Sequence, residues 1–97
     1  MSDTQVTDNP EKSRFEAHVD GDLAGFAAYE TTDDLITFTH TKVFDAFEGE
    51  GVGSTLARGA LDAVRGDGTR KVVPRCPFIR AWIEKHEDDQ DLVGATF

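Results

Sequence analysis

The chain has 97 residues, and its 19 Asp and Glu outnumber ten Lys and Arg to give a formal net charge of −9. This length favours a single domain, and an apolar fraction of 38% is enough for a small core. The negative charge argues against nucleic acid and anionic membranes as partners. The Asp-rich, Lys-poor composition is typical of a halophilic protein, in which molar salt screens like charges.

The sequence predicts a cytoplasmic protein without a membrane span. No segment reaches the roughly 20 consecutive apolar residues that a span requires, and the N-terminal segment lacks the basic and apolar parts of a signal peptide. The single cysteine, Cys76, excludes an intramolecular disulfide and a cysteine-based zinc site. The three histidines are dispersed, so their spacing predicts no metal site.

Residues 1–12 are polar and predict a flexible acidic arm, which leaves residues 13–97 as a single domain. Alternating apolar residues predict strands over residues 13–19, 23–31 and 35–43, joined by turns such as Asp20-Gly21-Asp22. In the second strand, Ala24, Phe26 and Ala28 occupy alternate positions.

The periodicity becomes helical after the third strand. Val52, Leu56 and Ala60 predict a helix that opens at Gly51 and stops at Gly66-Asp67-Gly68. A short strand, Lys71-Val72-Val73, follows. Pro77 then opens a second helix, whose apolar face carries Phe78, Ile79, Trp82 and Ile83.

The resulting order predicts an α+β fold, in which a three-stranded antiparallel meander is followed by α-β-α. The crossover through the first helix should be right-handed and bring the last strand parallel to the third.

A glycine-rich loop, Glu48-Gly49-Glu50-Gly51-Val52-Gly53-Ser54, lies between a strand and a helix. Glycines let a ligand approach the backbone, and the unpaired amides at a helix start bind phosphate. The absence of a Lys before Ser54 argues against a nucleotide-hydrolysing loop, and the spacing does not match a dinucleotide fingerprint. The alternative is a flexible loop with a helix cap.

The stretch from Val43 to Leu61 resembles the acetyl-CoA pyrophosphate loop of the GNAT acetyltransferase superfamily, with Glu48, Gly51 and Gly53 at the motif positions. The whole chain resembles the minimal single-domain, YjdJ-type members over about residues 13–94. The matching segments are His40-Thr41-Lys42-Val43, Pro74-Arg75-Cys76-Pro77-Phe78, Trp82, Lys85-His86 and Asp91-Leu92-Val93.

The resemblance implies that acetyl-CoA binds in a cleft between the third and fourth strands and that an acetyl group passes to an amine. The cofactor-binding residues that it implies are Val43, Glu48, Gly49, Glu50, Gly51, Val52, Gly53, Ser54, Cys76 and Phe78. The chain departs from the pattern at Glu48, where Gln or Arg is usual, and Glu50 adds a second acid. Carboxylates beside a pyrophosphate are unfavourable unless salt screens them. A further departure is Trp82, where Tyr is frequent, because an indole cannot act as a general acid.

Two residues are candidates for the chemistry. Cys76 stands at a helix start, where helix amides and Arg75 favour a thiolate, so it could protonate the leaving sulfur or act as a nucleophile; alternatively it is a buried core residue. His40, near the glycine loop, could remove the proton of the amine, or it could be a histidine at the edge of the core. We expect His86 to cap the second helix and His18 to face solvent.

The first interpretation is therefore an acetyl-CoA-dependent N-acetyltransferase whose acceptor is an amine such as a protein lysine or a polyamine. The alternative is a non-catalytic module that binds CoA or a partner protein, and a third, purely structural interpretation makes the glycines a cap and Cys76 part of the core. A monomer or weak dimer is expected.

Overall fold

A computed structural model describes residues 4–49 and 51–94. One five-stranded sheet contains, in spatial order, β1 (Thr4–Asn9), β2 (Arg14–Val19), β3 (Asp22–Thr31), β4 (Leu35–Val43) and β5 (Lys71–Pro74). The helices are α1 (Val52–Asp67) and α2 (Pro77–Lys85), with short 3₁₀ turns at Pro10–Lys12, Asp45–Phe47 and Glu87–Leu92. Neighbouring strands are antiparallel except β4 and β5, which are parallel. The α+β class and the parallel pairing of the last strand with the strand before the glycine loop are confirmed.

The first strand was not predicted. The interpretation of residues 1–12 as a flexible arm is wrong for the described part of that segment, because residues 4–9 pair with β2 and add one strand to the meander. Two contacts hold β1 in place: Val6 packs against Gly59 of α1, and Asp8 accepts a hydrogen bond of 2.6 Å from the hydroxyl of Tyr29. Burial, and then this hydrogen bond, raise the pKa of Tyr29 to about 12. Residues 1–3 lie outside the described residues.

Irregularities in β3 decide which of its side chains reach the core. The register shifts between Ala17 and His18 of β2. As a result Ala24, Ala27 and Tyr29 are buried, whereas Phe26 and Ala28 are not. A strict alternation from Ala24 does not reproduce this pattern, since a bulge changes the face on which all later side chains lie.

The sheet has two different faces. The helix face carries Phe15 and Phe38, which join α1 and α2 in one apolar core. The two helices lie side by side, since Arg58 of α1 sits over the ring of Trp82 of α2. The opposite face, called the open face below, carries Phe26, with Arg14 4.7 Å from its ring centroid and His40 6.1 Å between centroids.

Glycine fixes both ends of α1. Gly51 precedes the helix with φ +75° and Gly68 follows it with φ +72°, where its amide donates to the carbonyl of Val64. In the described part of the chain, no helix is long and apolar enough to cross a membrane.

Two glycines of α1 test the placement of β1. Gly66→Ala should raise the free energy of unfolding by about 0.5–1 kcal/mol, because nothing lies within 4 Å of the new Cβ and alanine favours helix. Gly59→Ala has the same gain in helix propensity but would place a Cβ 2.7 Å from the Cβ of Val6. We therefore expect the free energy of unfolding to stay unchanged or to fall. Urea unfolding in concentrated KCl measures both; equal stabilisation by the two variants would mean that β1 does not pack on α1.

Candidate functional site

The sheet opens between β4 and β5. Only residues 35–38 of β4 pair with β5. The chain then turns, with the amide of Arg75 donating to the carbonyl of Val73, and the amide of Cys76 donates to the carbonyl of Phe38 at 2.8 Å. Residues 39–43 of β4 continue beside β3, and no described strand pairs with their other edge. Such an edge offers backbone donors and acceptors to an extended ligand.

The glycine loop follows this free edge after the 3₁₀ turn at Asp45–Phe47, and it ends at the start of α1. Gly49 and Gly51 adopt φ of +84° and +75°, which a residue with a side chain rarely takes. The first helical bond runs from the amide of Thr55 to the carbonyl of Gly51 at 3.0 Å. The amides of Val52, Gly53 and Ser54 therefore precede the intrahelical ladder, at the positive end of the helix dipole.

The loop and the free edge line a groove of about 250 Å³, called the glycine groove. Its lining residues are Val43, Phe47, Glu48, Gly49, Gly51, Val52, Gly53, Ser54 and Phe78. Most of the residues expected to bind the cofactor are thus brought together. Glu50 lies outside the described residues, and Cys76 is not part of this lining. Phe47 was not predicted, although an apolar residue directly before a glycine loop is a usable signal.

Phe78 forms a wall of the glycine groove and constrains Gly53. A Cβ added to Gly53 would lie 3.1 Å from Cζ of Phe78 and 3.6 Å from Cγ2 of Val43. The Phe78 side chain is 41% exposed, although the helical periodicity had placed it on the apolar face of α2. Gly53 is therefore a position where the absence of a side chain lets the start of α1 approach α2.

Cys76 lies deeper, at the point where β4 and β5 separate. It is 2% exposed, precedes the first turn of α2, and its Sγ is 3.2 Å from Oγ1 of Thr41. Either atom could donate in this hydrogen bond. Thr41 was not singled out from the sequence, although alternation along β4 places it on the same face as Val43.

His40 lies on the other side of the sheet from Cys76. A register shift in β4 between Phe38 and His40 leaves Thr39 as an extra residue and reverses the alternation. Phe38 therefore faces the helices, whereas His40 lies on the open face, where its ring is near Phe26. The two residues expected to be catalytic are therefore on opposite faces of β4. His18 is also partly exposed, with Nε2 3.8 Å from a carboxylate oxygen of Glu16.

The other histidine of interest, His86, ends α2. Its Nδ1 is 2.7 Å from the carbonyl of Trp82, and the two rings stack with centroids 3.9 Å apart. Since a carbonyl can only accept, Nδ1 carries the proton in this bond. His86 thus satisfies a carbonyl in the last turn of the helix, as expected of a capping residue.

The Asp91-Leu92-Val93 segment has a structural role. Asp91 receives two hydrogen bonds from Arg65 of α1, of 3.0 and 2.8 Å, and this guanidinium lowers the pKa of Asp91. Leu92 is buried, and Val93 forms a parallel bridge with Val72 of β5. The segment ties the C-terminal part of the chain to α1 and to the edge of the sheet.

Comparison with known families agrees with this geometry. A family model described as GCN5-related N-acetyl-transferase matches residues 14–92. No curated protein matches the chain. The matched region begins at β2 and extends through the opening and both helices. The chain therefore belongs to the GCN5-related N-acetyltransferase family and carries its acyl-transfer domain.

Proposed function

We propose that the protein is an acetyl-CoA-dependent N-acetyltransferase. The observation that carries the proposal is the continuity of two features, the free edge of residues 39–43 and the uncapped start of α1. An extended chain that ends in a pyrophosphate matches both, because an amide-containing chain pairs with a strand edge and an anion binds at helix amides. Acetyl-CoA has this form.

The pyrophosphate would bind at the amides of Val52, Gly53 and Ser54. The left-handed conformations of Gly49 and Gly51 shape the loop around this point. Glu48 lines the same groove and is exposed, so its carboxylate opposes an anion in dilute buffer. Molar salt reduces this repulsion, since the screening length falls to about 3 Å at 1 M.

Thr41 and Cys76 are the side chains suited to the thioester. Their contact lies on the helix face of β4, at the narrow end of the opening. A thiol or hydroxyl there can donate a proton or hydrogen bond to the sulfur as it leaves. This role requires no covalent acetyl-cysteine, so a direct transfer accounts for the arrangement.

The transfer itself joins the amine nitrogen to the thioester carbonyl carbon. The carbon–sulfur bond breaks, and the nitrogen loses a proton while the sulfur gains one, which gives an acetamide and free CoA. The amine must be unprotonated to attack. His40, on the open face of β4, is the group proposed to accept its proton, directly or through water.

The acceptor would approach from the open face. Both helices occupy the other face, so the approach along His40 leaves space for a side chain of a protein as well as for a small amine. The net charge of −9 attracts cationic acceptors such as lysine side chains or polyamines.

A non-catalytic CoA-binding module is the alternative, and one observation favours it. Cys76 is 2% exposed and His40 lies on the other face, so these two candidates for acid and base do not share one face of the opening. Release of free CoA in the presence of a panel of amines separates the two functions. An enzyme releases CoA only when an acceptor is added, whereas a binding module releases none.

The glycine loop provides the first test. Saturating acetyl-CoA should raise the unfolding temperature, since a ligand at 100 times its Kd stabilises by about 2.7 kcal/mol. Gly51→Asp and Gly53→Val should lose this shift, the first through strain at φ +75° and the second through the contact with Phe78. Gly66→Ala, at the far end of the same helix, is the control and should keep it. An undiminished shift in both loop variants would contradict the proposal.

The Thr41–Cys76 pair provides the second test. Cys76→Ala and Thr41→Val should lower turnover while acetyl-CoA still binds, by about 100-fold or more if the pair supplies a general acid. Thr37→Val, the same change on the open face of β4, is the matched control and should retain turnover. If both Cys76→Ala and Thr41→Val fold and retain normal turnover, the pair only lines the opening and does not donate a proton to the leaving sulfur.

A further inference from the structure

A cavity of about 190 Å³, called the Asp8 cavity, lies between Asp8, Tyr29, Val64 and Arg70. It opens beside the C-terminal part of α1, at the end of the sheet where β3 turns into β4. Val64 lines this cavity and Ser54 lines the glycine groove. At a rise of 1.5 Å per residue, the two are about 15 Å apart along α1. A ligand in the Asp8 cavity would therefore leave the glycine groove free.

The floor of the Asp8 cavity consists of core side chains. Phe15, Tyr29, Ile36 and Val64 all line it, and all four are buried. Phe15 and Tyr29 pack on each other with ring centroids 5.4 Å apart, so this part of the floor is fixed by the core. An apolar cavity of about 150 Å³ can hold benzene. The Asp8 cavity thus has room for a hydrocarbon body of about six carbons.

Polar groups reach the rim of the cavity from three separate elements. Asp8 belongs to β1, Asp67 ends α1, and Arg70 precedes β5. The Nε of Arg70 donates to the carbonyl of Thr32 at 2.7 Å, and its guanidinium lies 4.0 Å from the carboxylate of Asp67. Arg70 and Asp67 therefore balance each other's charge.

The charge of Asp8 is not balanced in this way. Its carboxylate accepts a hydrogen bond from the Tyr29 hydroxyl at 2.6 Å, and this hydroxyl is neutral at pH 7 because the pKa of Tyr29 is raised to about 12. Among the described residues, no ion pair joins Asp8 to a cation. The C-terminal end of α1 adds the negative end of a helix dipole to the same rim. The cavity thus combines an apolar floor with a net negative rim.

The strand that supplies Asp8 lies outside the region shared with the family. β1 comprises Thr4–Asn9, whereas the family model matches residues 14–92. The negative side of the cavity is therefore contributed by a strand that precedes the acyl-transfer domain as the family model defines it.

From these observations we propose that the Asp8 cavity is a second binding site, which takes an organic cation with a compact hydrocarbon body, such as a primary amine of about six carbons. The ammonium group would lie beside the carboxylate of Asp8, and the hydrocarbon would contact Tyr29 and Val64. Because the site is separate from the glycine groove, the inference does not rest on the proposed function.

Backbone amide chemical shifts test the site, with cyclohexylamine as the probe. Its amine is protonated at neutral pH, as that of a lysine side chain is. Saturable shifts are expected at Asp8, Thr31, Asp67 and Arg70, which line the cavity. Cyclohexanol, which has the same body without the charge, should bind about fivefold more weakly at low salt, and cyclohexanecarboxylate should cause no shift. Equal affinity for the amine and the alcohol would overturn the inference.

Asp8→Asn isolates the contribution of the charge. The amide oxygen can still accept from Tyr29, so cyclohexylamine should bind about fivefold more weakly while cyclohexanol binds as before. Asp62→Asn is the matched control, since Asp62 is an exposed acid of α1 outside the lining of the cavity. Its affinity for cyclohexylamine should equal that of the parent protein within twofold. A loss equal to that of Asp8→Asn would mean that net charge attracts the amine, which would overturn the inference.

Ala63→Leu tests the cavity itself. Ala63 is exposed and lines the cavity, so a larger side chain there should fill the space and abolish binding of both probes while Asp8 is kept. Retained binding in Ala63→Leu would overturn the inference, and so would shifts of the parent protein confined to residues 39–43, where the proposed acceptor would approach. Acetyl-CoA should stabilise all three variants as it does the parent protein, so either proposal can fail without the other.

Discussion

The hydrogen bond from the amide of Cys76 to the carbonyl of Phe38, at 2.8 Å, is the contact on which the site depends. It closes the parallel pairing of β4 with β5 and directs the chain into α2, so that residues 39–43 of β4 keep a free edge. The same separation buries Cys76 against Thr41. If the two strands did not separate here, β5 would continue along β4 and leave no opening for an extended ligand.

Much of this arrangement follows from local sequence signals. Gly51 and Gly68 take left-handed conformations that end α1 where the sequence predicts, and Pro77 opens α2. The missed features depend on tertiary contacts. The first strand has one partly buried aliphatic residue, Val6, among polar neighbours, and it is held by α1 and Tyr29 rather than by its own pattern. The pairing of Thr41 with Cys76 joins residues that are distant in the chain, so no periodicity could indicate it.

The placement of His40 shows why proximity in sequence is a weak guide to a site. His40 and Thr41 are neighbours on β4, yet the pleat sends one to the open face and the other to the helix face. Under the proposed function, this separation would place the group that accepts the proton of the amine and the group that donates to the leaving sulfur on different faces of β4. The proposed roles of His40 and Cys76 rest on that division.

The distribution of charge explains how an acidic chain could hold a polyanion. Glu48 lines the glycine groove, in which the backbone amides of Val52, Gly53 and Ser54 precede the first intrahelical hydrogen bond of α1. Under the proposed function, these amides rather than side-chain cations would bind the pyrophosphate. Backbone amide chemical shifts during an acetyl-CoA titration test the central claim most directly. The account predicts shifts at Val52, Gly53, Ser54 and residues 39–43, with little change at Gly66; saturating acetyl-CoA that leaves those amides unshifted would contradict it.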